Sequence, residues 1–163
     1  MSFKLINGSK NKDPYILSVS SGKGGVGKTL SVVNIALSAA MSGKKVLILD
    51  GDLGMSNVDV VLGLHGRYNL KDVFDGYKTL EEIMLTGPCG IKIIPSGSGI
   101  SSLSNLSFFQ KQILSEQFEE VQKSLDLILI DTGAGIGPNV TYFNAFSEFR
   151  VLLTTPEPHA ITD

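Results

Sequence analysis

Residues 15–29 read YILSVSSGKGGVGKT: a short apolar run, then a glycine-rich turn that closes on Gly27, Lys28 and Thr29. The run YILSVS at 15–20 reads as a β-strand, and Ser21 to Thr29 fits G-x-x-x-x-G-K-[ST] with Gly22, Gly27, Lys28 and Thr29 in the fixed places. Glycines at 22, 24, 25 and 27 let the backbone turn successive N–H groups towards phosphate oxygens. A helix starting at Lys28 would aim the positive end of its dipole at the same anion. The pattern gives Lys28 the β and γ phosphates and gives the Thr29 hydroxyl a Mg²⁺ ion. The binding loop is then Gly22, Lys23, Gly24, Gly25, Val26, Gly27, Lys28 and Thr29.

Four more short apolar runs follow: KVLILD at 45–50, IKIIP at 91–95, LDLILID at 125–131 and RVLLTT at 150–155. They are nearly continuous in Val, Ile and Leu rather than alternating, the pattern of strands buried on both faces of a parallel sheet. Helices are predicted between them. The first runs from Lys28 to Met41, with Val32, Val33, Ile35, Ala36, Ala39 and Ala40 on its apolar face and Gly43 as its stop. Thr79 with Glu82, and Ser107 with Gln110, have the spacing of capping boxes, the second opening a helix that reaches about Lys123. A short helix crosses from Asn139 to Phe146. Strands and helices in this alternation specify right-handed βαβ units and an open, doubly wound, mostly parallel α/β sheet. Residues 1–14 read as a polar arm, and residues 15–163 as the front part of a longer domain, because PEPHAITD at 156–163 begins an element that the chain does not complete. The other reading of that ending is a compact five-stranded domain with a frayed tail.

Composition excludes several classes. The chain has 163 residues, 42% hydrophobic and 18% charged, with a net charge of −2, so it is a globular sequence rather than a disordered or collagen-like one. That balance predicts no specific nucleic-acid partner. One cysteine, Cys89, makes no intrachain disulfide, and no run approaches the length of a membrane span. The expected location is the cytoplasm. Phe108 and Phe109 read as helix core, and Glu81, Glu82, Glu119 and Glu120 as solvated helix faces. His65 and His159 stand apart from any nucleophile.

Ligands of open α/β sheets bind beyond the carboxyl ends of the strands. Three aspartates fall there: Asp50 at the end of the second run, Asp52 two residues on, and Asp131 at the end of LILID. A carboxylate closing an apolar strand behind a phosphate loop suits a Mg²⁺ shell, which keeps several of its own waters. Asp131 is the Walker B candidate, with Asp50 supporting a metal-bound water. Asn57 and Asp59 are candidates either to cap the next helix or to sense the nucleotide.

The segment KGGVGKT, Lys23 to Thr29, resembles the signature of the deviant phosphate-loop ATPases, the MinD/ParA family. The resemblance spans roughly residues 15–163 and implies a SIMIBI-like phosphate-loop NTPase fold with ATP and Mg²⁺ as cofactors. It implies that Lys23 reaches across an ATP-dependent homodimer to the partner's nucleotide. It also implies that Asp52 orients the attacking water, making Lys23, Lys28 and Asp52 the catalytic set. The residues after Asp131, DTGAGIGP, look like a second switch segment, with Gly133 and Gly135 approaching the γ-phosphate.

Leu53-Gly54-Met55-Ser56-Asn57 stands where partition ATPases of the ParA type usually have Pro-Gln-Gly-Asn, and Thr132 to Ile136 stands where MinD more often has Ser-Pro-Ala-Gly-Ile. Together with NLKDVF and TTPEPHAITD, these segments are most similar to the flagellar branch, FlhG or FleN. That resemblance implies a slow ATPase switch controlling flagellar number and placement. Its implied partners are an FlhF-type GTPase, flagellar switch components or a flagellar transcriptional activator. The Asp-Gln-Ala-x-x-Leu segment through which many of these proteins stimulate FlhF is not found here. Membrane contact would come through a C-terminal amphipathic helix beyond Asp163. A cell-division or DNA-segregation positioning ATPase, and a nucleotide-binding docking domain without turnover, remain the alternatives.

Overall fold

A computed structural model describes residues 13–53, 57–97, 103 and 105–156. Strand β1 (Tyr15–Ser21) leads through the glycine-rich loop into helix α1 (Lys28–Met41), and α1 into β2 (Val46–Gly51). Three short helices follow, α2 (Val58–Val61), α3 (Leu70–Phe74) and α4 (Leu80–Ile83), then a two-residue strand β3 (Leu85–Thr86), a single 3₁₀ turn at Pro88–Gly90 and β4 (Lys92–Ile94). Helix α5 (Phe108–Gln122), β5 (Leu127–Ala134), α6 (Pro138–Phe146) and β6 (Phe149–Leu152) complete the described elements.

The sheet order is β3-β4-β2-β5-β1-β6. Every pairing is parallel except that of β3 with β4. Side chains of the central strands alternate between two cores. Leu47, Leu49, Ile128 and Ile130 pack under α3, α4, α5 and α6 with Leu70, Leu80, Leu114, Phe118 and Phe143. Val46, Ile48, Leu129 and Val19 pack on the other face with Val32, Val33 and Ala36 of α1. Both faces being covered is why the strand sequences are unbroken apolar runs. The expected doubly wound, mostly parallel fold is the observed one.

Four features differ from the sequence reading, one being Ile35, expected on the apolar face of α1 but 41% exposed. The antiparallel edge strand β3 was not expected, being too short to show a period. Between β2 and β4 the sequence pointed to caps at Asn57 or Asp59 and at Thr79, whereas α3 also opens with its own capping box, Asn69 with Asp72. The boxes at Thr79/Glu82 and Ser107/Gln110 are present. Phe108 and Phe109 are not core: they are 83% and 70% exposed. Helix α5 buries the stripe through Leu114 and Phe118, one turn apart, and positions five and six residues before Leu114 fall roughly 120–140° away from it on a 3.6-residue helix. His65, Glu81, Glu82, Glu119, Glu120 and Cys89 are exposed, while His159 and most of the polar arm lie outside the described residues.

Candidate nucleotide and metal site

The glycine-rich loop is shaped by two left-handed residues. Gly25 has φ +79° and Gly27 φ +94°, a region that disfavours any side chain, and Gly27 is the residue from which α1 starts. A Cβ at Gly24, Gly25 or Gly27 would meet nothing within 4 Å, so these three glycines face open space. Ser21 ties the loop's entry by donating its hydroxyl to the Lys23 carbonyl at 2.7 Å, and Gly135 N–H donates to the Ser21 carbonyl at 2.9 Å. The second contact brings the segment after β5 against the loop. Lys28 is 9% exposed at the start of α1, whereas Lys23 is exposed.

Asp50 and Asp131 are register partners in the parallel pair β2/β5, so the strand order brings both residues together towards the carboxyl ends of two central strands. Thr29 Oγ1 donates to Asp131 Oδ2 at 2.6 Å, linking the loop to the strand end. The other oxygen, Oδ1, is buried and has no hydrogen-bond partner among the described residues. Burial pushes the Asp131 carboxyl above the ordinary carboxylate range; the Thr29 bond and the Lys28 charge pull it back, and the Asp52 carboxylate adds to the rise. An orphaned hard oxygen beside a threonine hydroxyl fits Mg²⁺, which takes oxygen ligands and accepts few from the protein. Among the described residues no group of three or more His, Cys, Asp or Glu could hold a metal alone, so phosphate and water oxygens would supply the remaining ligands.

Asp50 is fully buried, and its carboxylate faces backbone amides. Oδ1 accepts from Asp52 N–H at 3.2 Å, and Oδ2 accepts from Asn57 and Val58 N–H at 3.0 and 3.3 Å. It therefore organises the loop that carries Asp52 and satisfies the start of α2. Asn57 sits at that N-cap without a side-chain cap bond, and Asp59 accepts from Val60 N–H instead. Asp52 itself lies across a cleft from Gly133, where a Cβ would stand 3.7 Å from the Asp52 carboxylate. That cleft is walled by Gly51, Asp52 and Leu53 on one side and by Gly133, Pro138, Asn139 and Val140 on the other. The sequence reading missed Asn139 as a member of this wall, and also a buried polar network in which Ser18 and Ser20 both donate to Asn144 Oδ1 and Ser20 meets Thr132 Oγ1. Ser18 and Ser20 share one face of β1, but their partners lie more than a hundred residues away, so no local spacing pairs them.

A family model described as AAA domain matches residues 15–153. The chain belongs to this family. Within it, the chain is of the MinD/ParA type. It is 43% identical over 148 residues to the antiactivator FleN of Pseudomonas aeruginosa, covering 91% of this chain and 53% of that protein. It is 39% identical over 147 residues to the flagellum site-determining protein YlxH of Helicobacter pylori, covering 90% and 50%. Among solved structures, the septum site-determining protein MinD of Pyrococcus horikoshii, complexed with Mg-ADP, superposes with a TM-score of 0.78 at 31% identity, over 91% of this chain and 61% of that one. The chain spans about half the length of the curated relatives it matches. Among the described residues no helix is long and apolar enough to cross a membrane.

Proposed function

We propose that the chain is the nucleotide-binding part of an ATP-hydrolysing switch that dimerises on ATP and controls flagellar number and placement. The hydrogen bond from Thr29 to Asp131, with the second Asp131 oxygen left orphaned, carries the nucleotide part of this reading, because it joins a phosphate loop to a strand-end acid. The likeness to FleN and YlxH supports the flagellar part.

The residues act by positioning and charge. The amides of Gly24 to Thr29 hold the phosphates, and Lys28 balances the charge that spreads over the transferred phosphoryl group. Thr29 and Asp131 would hold Mg²⁺, which when bound screens the phosphate charge. Asp52 orients a water for in-line attack on the γ-phosphorus as the bond to the β–γ bridging oxygen breaks. Asp50 keeps the Asp52 loop in place. Lys23 reaches the nucleotide of a second copy. The partners would be an FlhF-type GTPase, flagellar switch components or a flagellar transcriptional activator, met in the cytoplasm or at the inner membrane face.

Titrating ATP with Mg²⁺ into the full-length protein while recording molar mass and phosphate release tests the reading. The expected result is an ATP-dependent doubling of mass with slow phosphate release. ATP bound with neither effect would leave a docking domain and refute the switch. A second reading, a MinD-like membrane-positioning ATPase, is favoured by the fold match to MinD. It requires ATP-dependent sedimentation with anionic liposomes, which the flagellar reading does not.

A further inference from the structure

The connection between β4 and α5 is fastened at described points to both walls of the cleft that separates Asp52 from Gly133. On the β2 side, the buried Ser96 donates its hydroxyl to the Asp52 carbonyl at 3.2 Å. On the α6 side, Asn139 Nδ2 donates to the Leu103 carbonyl at 2.8 Å, and Asn139 Oδ1 accepts from Leu106 N–H at 3.0 Å. Asn139 is 9% exposed, and α6 has no side-chain cap bond, so this amide serves a different segment rather than its own helix. Both bonds lie in a dry setting, where losing one partner leaves the other orphaned.

The arrangement has a direction. Gly137, at the end of the loop that follows β5, is separated from Asn139 only by Pro138, whose ring fixes φ. A displacement of that loop therefore reaches Asn139 with little slack. Leu106, at the other end of the amide, is followed directly by Ser107, the N-cap of α5, and then by Phe108 and Phe109, both exposed. Leu103 and Leu106 are buried in the apolar cluster, and the partner that satisfies the Leu103 carbonyl and the Leu106 N–H is a single side chain from α6.

We propose that Asn139 is a positioning residue: it holds the Gly133–Gly137 loop in register with Asp52 and, through Leu103 and Leu106, passes the occupancy of the cleft to the start of α5. The inference rests on the ATPase reading above and deepens it. It makes the Phe108–Phe109 end of α5 a place where the nucleotide state is displayed.

The test uses full-length protein carrying Phe108→Trp, an exposed position outside the nucleotide site, as a fluorescent reporter. In that background, switching from Mg-ADP to Mg-ATP shifts the Trp emission. Adding Asn139→Ala abolishes the shift and slows phosphate release about tenfold, the effect of losing buried hydrogen bonds of ordinary strength. KM for ATP stays within about twofold, because the side chain does not hold the nucleotide. An emission shift that survives Asn139→Ala, unchanged turnover, or no shift in the parent reporter with ATP bound would each overturn the inference. A parent that binds no Mg-ATP would overturn the ATPase reading itself. If Asn139→Ala does not fold, Ser96→Ala carries the test: it removes one hydroxyl, keeps the packing, and should at least halve the emission shift, whereas an undiminished shift refutes the linkage.

Discussion

Asp131→Asn should stabilise the protein without metal and weaken it with metal, and the crossing of those two effects is the sharpest consequence of the site. The aspartate is 2% exposed, with one oxygen bonded to Thr29 and the other unpartnered. A buried charged acceptor left orphaned costs about 1–3 kcal/mol or more. Asparagine keeps an oxygen for Thr29 and removes the charge, but its NH₂ occupies the orphan position without an acceptor, so the gain sits near the bottom of that range, about 1 kcal/mol. For a domain of this size that is a rise of about 2–4 °C in Tm.

Folding raises the Asp131 pKa, so above the ordinary value of 3.8 the folded chain holds the proton longer than the unfolded one. Wild-type stability from this group is therefore lost as pH climbs from 3.8 through the raised folded value, and the advantage of the asparagine variant grows over the same interval. With saturating Mg-ADP the order reverses: at ligand one hundred times Kd the wild type gains about 2.7 kcal/mol, and the variant, lacking the anionic oxygen, gains much less. Thermal unfolding of both proteins in EDTA and in Mg-ADP, at several pH values, reads all of this. A variant that melts below wild type in EDTA and still gains the full nucleotide shift would refute the argument.

Further consequences follow from the same geometry. Lys23→Ala should retain nucleotide in equilibrium binding yet lose both the ATP-dependent mass increase and turnover; turnover at the wild-type rate would remove the lysine from the trans role. Gly27→Ala forces a side chain into φ +94° and should cost about 1–2 kcal/mol in urea unfolding while weakening nucleotide binding by calorimetry. Gly51→Ala should cost about 1–3 kcal/mol in the same unfolding assay, since its Cβ would stand 3.1 Å from both the Asp131 carbonyl and a Phe143 ring carbon and 3.2 Å from Ile130. Wild-type stability in that variant would mean the β2 end gives way more easily than its packing suggests.

The sequence by itself determined the elements whose signals are local. YILSVSSGKGGVGKT announced a strand, a phosphate loop and a helix, because glycine spacing and the Gly-Lys-Thr close are short-range requirements of backbone shape. The caps at Thr79 and Ser107 were readable for the same reason, and unbroken apolar runs announced strands covered on both faces. Tertiary structure decided what lies across the sheet. Only the strand order, with β5 between β1 and β2, makes Asp50 and Asp131 neighbours and sets Thr29 against Asp131. Only packing could place Asn139 against Leu103 and Leu106, and Asn144 against Ser18 and Ser20. Those relations join residues distant in the chain, and hydrogen-bond partners chosen by a folded surface leave no period or spacing in the sequence.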